Sequence, residues 1–151
     1  MGGGKKEIQV DLSNYGSIVA LRRFETERIL EVFKGKARSN EEEHIIQVVE
    51  TEGYKGKIQL LVSIDAASDR IVNVVVLNHH ETEEYGGYLT ENWFLDRFKN
   101  KEIIKPLKVV KVIAESPDEI VAITGATKTS TAVVEGINTC FENYKRIKKG
   151  G

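Results

Sequence analysis

Ile45-Ile46-Gln47-Val48-Val49-Glu50, Gly53-Tyr54-Lys55-Gly56 and Ile58-Gln59-Leu60-Leu61-Val62-Ser63-Ile64 follow one another with almost nothing between them. The first run alternates with period two, placing Ile45, Gln47 and Val49 on one face and Ile46, Val48 and Glu50 on the other, which is the pattern of a strand. Two glycines in four residues make a turn, and the third run alternates again. After a loop from Asp65 to Arg70 comes Ile71-Val72-Asn73-Val74-Val75-Val76-Leu77, rich in β-branched residues. Three strands in sequence with short connections predict an antiparallel meander.

Working outward, Ser17 to Lys34 carries good helix formers with Leu21, Ile29 and Val32 near helical spacing and Gly35 as a C-cap, so an amphipathic N-terminal helix is expected. Residues 36–43 read as a polar connector. Beyond Leu77, Thr90 is placed to cap a short helix through Phe98 that buries Trp93 or Phe94 with Phe98. Leu107 to Ile113 reads as a further strand, and Ser116-Pro117-Asp118-Glu119 as a capping box opening one turn of helix. From about Lys128 to Lys145, Val133, Ile137, Cys140 and Tyr144 share one face of a terminal helix, with basic residues crowding its C-terminal end. The expected fold class is α+β: a twisted antiparallel meander packed with N- and C-terminal helices.

Composition bounds the function. With 151 residues, 40% of them hydrophobic, the chain suits one folded domain, residues 7–149, preceded by a glycine-rich linker over residues 1–6. Lys plus Arg at 22 against Asp plus Glu at 23 leaves no polycationic surface, so no nucleic-acid partner is expected. The single cysteine, Cys140, excludes an internal disulfide and any multi-cysteine metal cluster. No apolar run approaches the ~18 residues of a membrane span. No Ser-His-Asp or Cys-His signature appears, and no catalytic residue is assigned.

The chemistry-bearing segment is Thr124-Gly125-Ala126-Thr127-Lys128-Thr129-Ser130, where a strand or loop feeds the terminal helix. Small residues let a backbone approach a ligand closely, and the free N–H groups of a helix start attract anions, so a phosphate suits this place. Thr127, Thr129 or Ser130 serving simply as a helix cap is the competing reading. A nucleotide P-loop is excluded, because it needs four residues between its first glycine and a Gly-Lys pair. His79 and Glu81 leave a strand on the same face. They suit a solvated strand end or the wall of a pocket, and no metal site is expected, since two ligands do not make one even with His80 adjacent and His44 elsewhere.

At Thr124-Gly125-Ala126-Thr127 the chain resembles the FMN-binding domain family: the subunit designated C in sodium-pumping NADH:quinone oxidoreductases and its counterpart, designated G, in Rnf electron-transport complexes. The motif matches that family's Ser/Thr-Gly-Ala-Thr flavinylation signature and continues through Thr129-Ser130 into Ala132-Val133-Val134. Gly53-Tyr54-Lys55-Gly56, the hairpin from Ile58 to Leu77, and His79-His80-Glu81-Thr82, similar to a His-x-Glu-Thr signature, extend the resemblance from about Gly53 to Asn138. Two departures stand out: Val121 where the family usually has aspartate, and Glu83-Glu84-Tyr85-Gly86 where it commonly has Pro-Gly-Leu-Gly.

The resemblance implies FMN as cofactor, joined through its phosphate to Thr127 by a separate flavin transferase. It implies a site of Thr124, Gly125, Ala126, Thr127, Lys128, Thr129 and Ser130 with His79, Glu81, Thr82 and Tyr85. Tyr85, Tyr88 and Trp93 are available to cover a flavin ring, although aromatics near a turn more often join a core. The implied role is an electron carrier without substrate turnover of its own, working with other subunits of a membrane-bound ion-translocating oxidoreductase. In the full-length parent, the domain would be held on the extracytoplasmic side by a membrane anchor. The alternative is a non-redox interaction module that keeps the fold and holds FMN loosely or not at all.

Overall fold

Period-two alternation finds its partners. In a computed structural model that describes residues 10–103 and 105–150, five strands form one antiparallel meander: β1 (Tyr15–Ala20), β2 (Ile29–Ala37), β3 (Glu43–Glu52), β4 (Lys57–Asp65) and β5 (Arg70–Asn78). Order in the sheet follows order in the chain. Register is continuous along β3 and β4, from His44 opposite Asp65 at one end to Glu52 opposite Lys57 at the other. The linker expected over residues 1–6 lies outside the described residues.

The expected N-terminal helix is replaced by the hairpin β1–β2. Ile18, Val19, Ile29 and Val32 are β-branched, and of the seven residues between Leu21 and Ile29 only Phe24 is apolar, so the helical stripe is thin there. Pairing with β3, which is apolar on both faces, outweighs a weak helix propensity. Gly35 ends no helix; it sits within β2, where a Cβ would come 2.9 Å from Cδ1 of Tyr15.

The terminal helix α2 (Thr127–Gly150) lies on β3 and β4. Val133, Ile137, Cys140 and Tyr144 are buried on the face expected for them, with Phe141 and Ile147 beside them. Two polar side chains cross this interface: Gln47 donates to the Cys140 carbonyl at 2.9 Å, and Asn143 donates to Gln47 at 2.9 Å and to the Phe24 carbonyl at 3.1 Å. Both of these buried side chains are thereby paired, which offsets their desolvation and holds helix and sheet in one orientation.

Between β5 and α2 the chain is irregular. Gly86–Thr90 forms a 3-10 turn, followed by α1 (Asn92–Leu95) and a 3-10 turn at Asp96–Phe98, so Thr90 belongs to the preceding turn and does not cap α1. Phe94 and Phe98 are buried edge to face, 5.4 Å apart, while Trp93 points outward. The expected strand over Leu107 to Ile113 shortens to β6 (Lys108–Val110), paired in parallel with β7 (Glu119–Val121). Asn138 on α2 brackets the Leu107 peptide, accepting from its N–H at 2.9 Å and donating to its carbonyl at 3.0 Å. Half of the capping box survives: the Glu119 carboxylate accepts from the Ser116 N–H at 3.1 Å. Because Glu119 then enters β7, this closes a turn and no helix follows.

Candidate functional site

The cleft assembles where three separate segments meet at the start of α2. β7 ends at Val121, and the turn at Thr124-Gly125 reverses the chain, with Gly125 at φ 78°, a left-handed conformation suited to glycine. Ala126 precedes the helix, its carbonyl accepting the Ser130 N–H at 3.0 Å. The N–H groups of the first turn, from Thr127 onward, consequently have no acceptor within the helix and carry its positive dipole end.

Glu81 holds the other two segments to this helix start. It is buried, one oxygen accepting from the Tyr54 N–H at 2.8 Å and from the Thr129 hydroxyl at 2.6 Å, the other from the Lys55 N–H at 2.8 Å. Burial pushes its carboxyl upward, but these donors outweigh it and hold the group below the usual carboxylate range. The Glu81 N–H donates to Nδ1 of His79 at 3.1 Å, fixing the approach of the chain. Glycine is needed at both contacts: a Cβ on Gly53 would come 2.8 Å from a Glu81 oxygen, and one on Gly86 would come 2.5 Å from Oγ1 of Thr129.

The result is a cleft of about 290 Å³ lined by Tyr54, Glu81, Thr82, Tyr85, Gly86 and the run from Gly125 to Thr129. Of the residues expected at the site, Gly125, Ala126, Thr127, Lys128, Thr129, Glu81, Thr82 and Tyr85 meet there. Ser130, His79 and Thr124 do not line it. Ser130 is buried beneath, its hydroxyl accepting from the Ile123 N–H at 2.9 Å and donating to the Ala126 carbonyl at 2.9 Å, a pair of bonds that shapes the turn. His79 acts on Glu81 from behind, and Thr124 faces a neighbouring hollow with Tyr88, Trp93 and Arg97.

The Thr127 hydroxyl is exposed and makes no side-chain hydrogen bond among the described residues, so capping is not its role. The Lys128 ammonium lies 5.7 Å from the centre of the Tyr54 ring, beside the cleft. Tyr54 and Tyr85 are both more than half exposed, at 63% and 56%, leaving their rings accessible. Sequence reasoning places neither Tyr54 nor Gly86 at the site. The signal for both is Glu81, whose burial requires donors that the turn at Tyr54 supplies and space that only glycine leaves.

The arrangement suits a phosphoryl group. Helix-start amides and a lysine favour an anion, the hydroxyl of Thr127 makes no side-chain hydrogen bond among the described residues, and the single carboxylate in the wall is already engaged by three donors.

Known proteins similar to this chain define its family. Over 124 residues, 82% of this chain and 59% of the relative, it is 34% identical to the subunit designated G in the Na(+)-translocating ferredoxin:NAD(+) oxidoreductase complex of Acetobacterium woodii. It is 33% identical over 101 residues, 67% of this chain and 53% of the relative, to the subunit of the same designation in the proton-translocating ferredoxin:NAD(+) oxidoreductase complex of Clostridium ljungdahlii. The chain thus spans little more than half the length of these curated relatives. In fold it is similar to the subunit designated C in the Na(+)-translocating NADH-quinone reductase of Parabacteroides distasonis, with a TM-score of 0.66 at 24% identity, covering 76% of this chain and 60% of that one. NqrC from Shewanella oneidensis gives a TM-score of 0.62, also at 24% identity, covering 74% of this chain and 54% of that one. A family model described as the FMN-binding domain matches residues 53–142, from the glycine turn beside Glu81 to the middle of α2. The chain belongs to the FMN-binding domain family.

Proposed function

We propose that this chain is the electron-carrying flavin domain of an Rnf-type, membrane-bound ion-translocating oxidoreductase, with FMN joined through its phosphate to Thr127. The observation that carries the reading is the free, exposed Thr127 hydroxyl at the mouth of a cleft built from a helix N-terminus. When bound, FMN supplies the redox chemistry. The protein supplies position: first-turn amides and the Lys128 ammonium neutralise the phosphate, and the Tyr54 and Tyr85 rings offer flat apolar surfaces beside it.

An outside flavin transferase fits the same geometry. A threonine hydroxyl needs a base to become a nucleophile, and among the described residues none is hydrogen-bonded to Thr127. Glu81, the carboxylate in the wall, is committed to three donors. The curated relatives are named as subunits of such complexes, which supports partners among the other subunits. Among the described residues no helix is long and apolar enough to cross a membrane. The anchor is assigned to the longer parent, with this domain on the extracytoplasmic side.

The test is the intact mass of the chain after co-expression with a flavin transferase. A single FMN adduct, lost in Thr127→Ala and retained in Thr124→Ala, is the expected result. A colourless, unmodified chain that ignores free FMN would instead support an interaction module.

A further inference from the structure

At the far end of β3 from the cleft, the strand register creates a cluster the sequence keeps apart. Glu42 and His44 are two residues apart and point to the same side. Asp65 lies directly across from His44 on β4. One ligand atom from each of the three lies within 4.8 Å of the other two. Glu42 is exposed and Asp65 half-buried, whereas the His44 side chain is only 6% exposed.

His44 presents the unusual feature. Its Nδ1 is 2.8 Å from the Tyr15 hydroxyl, while its Nε2 is buried without a hydrogen-bond partner among the described residues. The nearest carboxylate oxygen, on Glu42, stands 3.6 Å from Nε2, too far for a hydrogen bond. A buried ring nitrogen left unpaired is costly unless something occupies the space in front of it. A hydroxyl can accept as well as donate, so Tyr15 can receive the Nδ1–H in the tautomer that turns the Nε2 lone pair toward the two carboxylates.

We propose that His44 Nε2, Glu42 and Asp65 form a binding site for a divalent transition cation of the Zn²⁺ class, with Tyr15 as the outer group that orients the imidazole. Imidazole plus carboxylate oxygens is a borderline-hard donor set that such cations accept, with bonds of about 2.0–2.2 Å and ligand atoms therefore about 3.3 Å apart. Closing from the present separations, all within 4.8 Å, brings the exposed Glu42 side chain inward and asks the Asp65 carboxylate, which accepts from the Ala67 N–H at 3.2 Å and the Ser68 hydroxyl at 2.8 Å, to turn one oxygen toward the cation. Three protein ligands leave the fourth position to water. The span of β3 puts the site about 25 Å from the cleft, so its role is to tie β1, the β2–β3 connection and the β4–β5 turn together.

The test is calorimetric titration of the chelator-treated full chain with Zn²⁺. Expected is a saturable one-to-one isotherm that Glu42→Gln and Asp65→Asn each weaken by at least about tenfold, while His80→Gln, at an exposed histidine far from the cluster, leaves it unchanged. Glu42 is exposed, so its variant keeps the fold and separates lost ligation from lost structure. No saturation up to millimolar Zn²⁺, or an isotherm that Glu42→Gln and Asp65→Asn leave unaltered, would overturn the site.

Discussion

Glu81 is a short polar side chain whose removal would loosen two segments at once. Glu81→Gln substitutes an amide donor where two backbone N–H groups and a hydroxyl all donate, leaving at least one buried donor unpaired, at about 1–3 kcal/mol. The pH dependence has a definite sign. The folded-state pKa lies below the unfolded one, so the unfolded chain binds more protons between them. Stability from this group is therefore fully present above about pH 4.3 and is lost as pH falls through the lower folded value. Denaturant midpoints measured from pH 7 down to pH 3 should show wild type ahead of Glu81→Gln at neutral pH, with the gap narrowing in acid. A constant gap would mean the carboxylate is not stabilised by its donors.

Val121 is the other single residue with a distinct expectation. It is half-buried at the end of β7, its carbonyl accepts from Arg97, and it borders the same hollow as Thr124. Family members usually carry an aspartate here, and valine offers no carboxylate to a transferase or its cation, while the first-turn amides of α2 are untouched. Val121→Asp should raise the flavinylated fraction under limiting transferase and cost about 1 kcal/mol of stability, the usual scale for such a change. Intact mass at several transferase levels decides it; equal occupancy would show that position 121 has no bearing on modification.

At the scale of elements, what is legible in the sequence follows local pattern, and what is not follows partners far away in the chain. β3, β4 and α2 are legible because each carries its own periodic pattern over nine residues or more, and β5 because of its run of β-branched residues, although its pairing with β4 shifts register twice. The β1–β2 hairpin is not, because β1 is exposed along most of its length and carries little apolar alternation. In the same way, Thr127 and Glu81 stand out by motif, but the use of Ser130 as a buried turn-former depends on the Ile123 and Ala126 peptides lying beside it. Contact between the Gly86 turn and the helix start yields a further prediction. Gly86→Ala would drive a methyl into the Thr129 hydroxyl and break its bond to Glu81, an overpacking that typically costs about 1–3 kcal/mol. Thermal unfolding should register it, and Gly16→Ala, whose added Cβ would come no closer than 3.8 Å to a neighbour, is the matched control. Equal losses in the two variants would mean that the close packing at Gly86 contributes nothing.

On the scale of the whole molecule, the chain covers 59%, 53% and 49% of three curated relatives, so roughly half of such a protein has no counterpart here. If the domain works within a membrane complex, the parent gene should encode an apolar segment of about 18 residues or more upstream of Lys5. Reporter fusions at the end of the domain should then give an extracytoplasmic signal. A parent without such a segment, or a cytoplasmic reporter signal, would count against the assigned location.

The donors that close on Glu81 come from positions 54, 55 and 129, so the carboxylate is enclosed only after the β3–β4 hairpin and the last helix have met. Contacts of such long sequence separation form late, because the loop-closure entropy must be met before they contribute. A nascent or misfolded polypeptide has no assembled anion cradle to offer. Attachment of a flavin at Thr127 would then act as a timestamp, marking molecules that have completed folding and leaving unmarked those that have not.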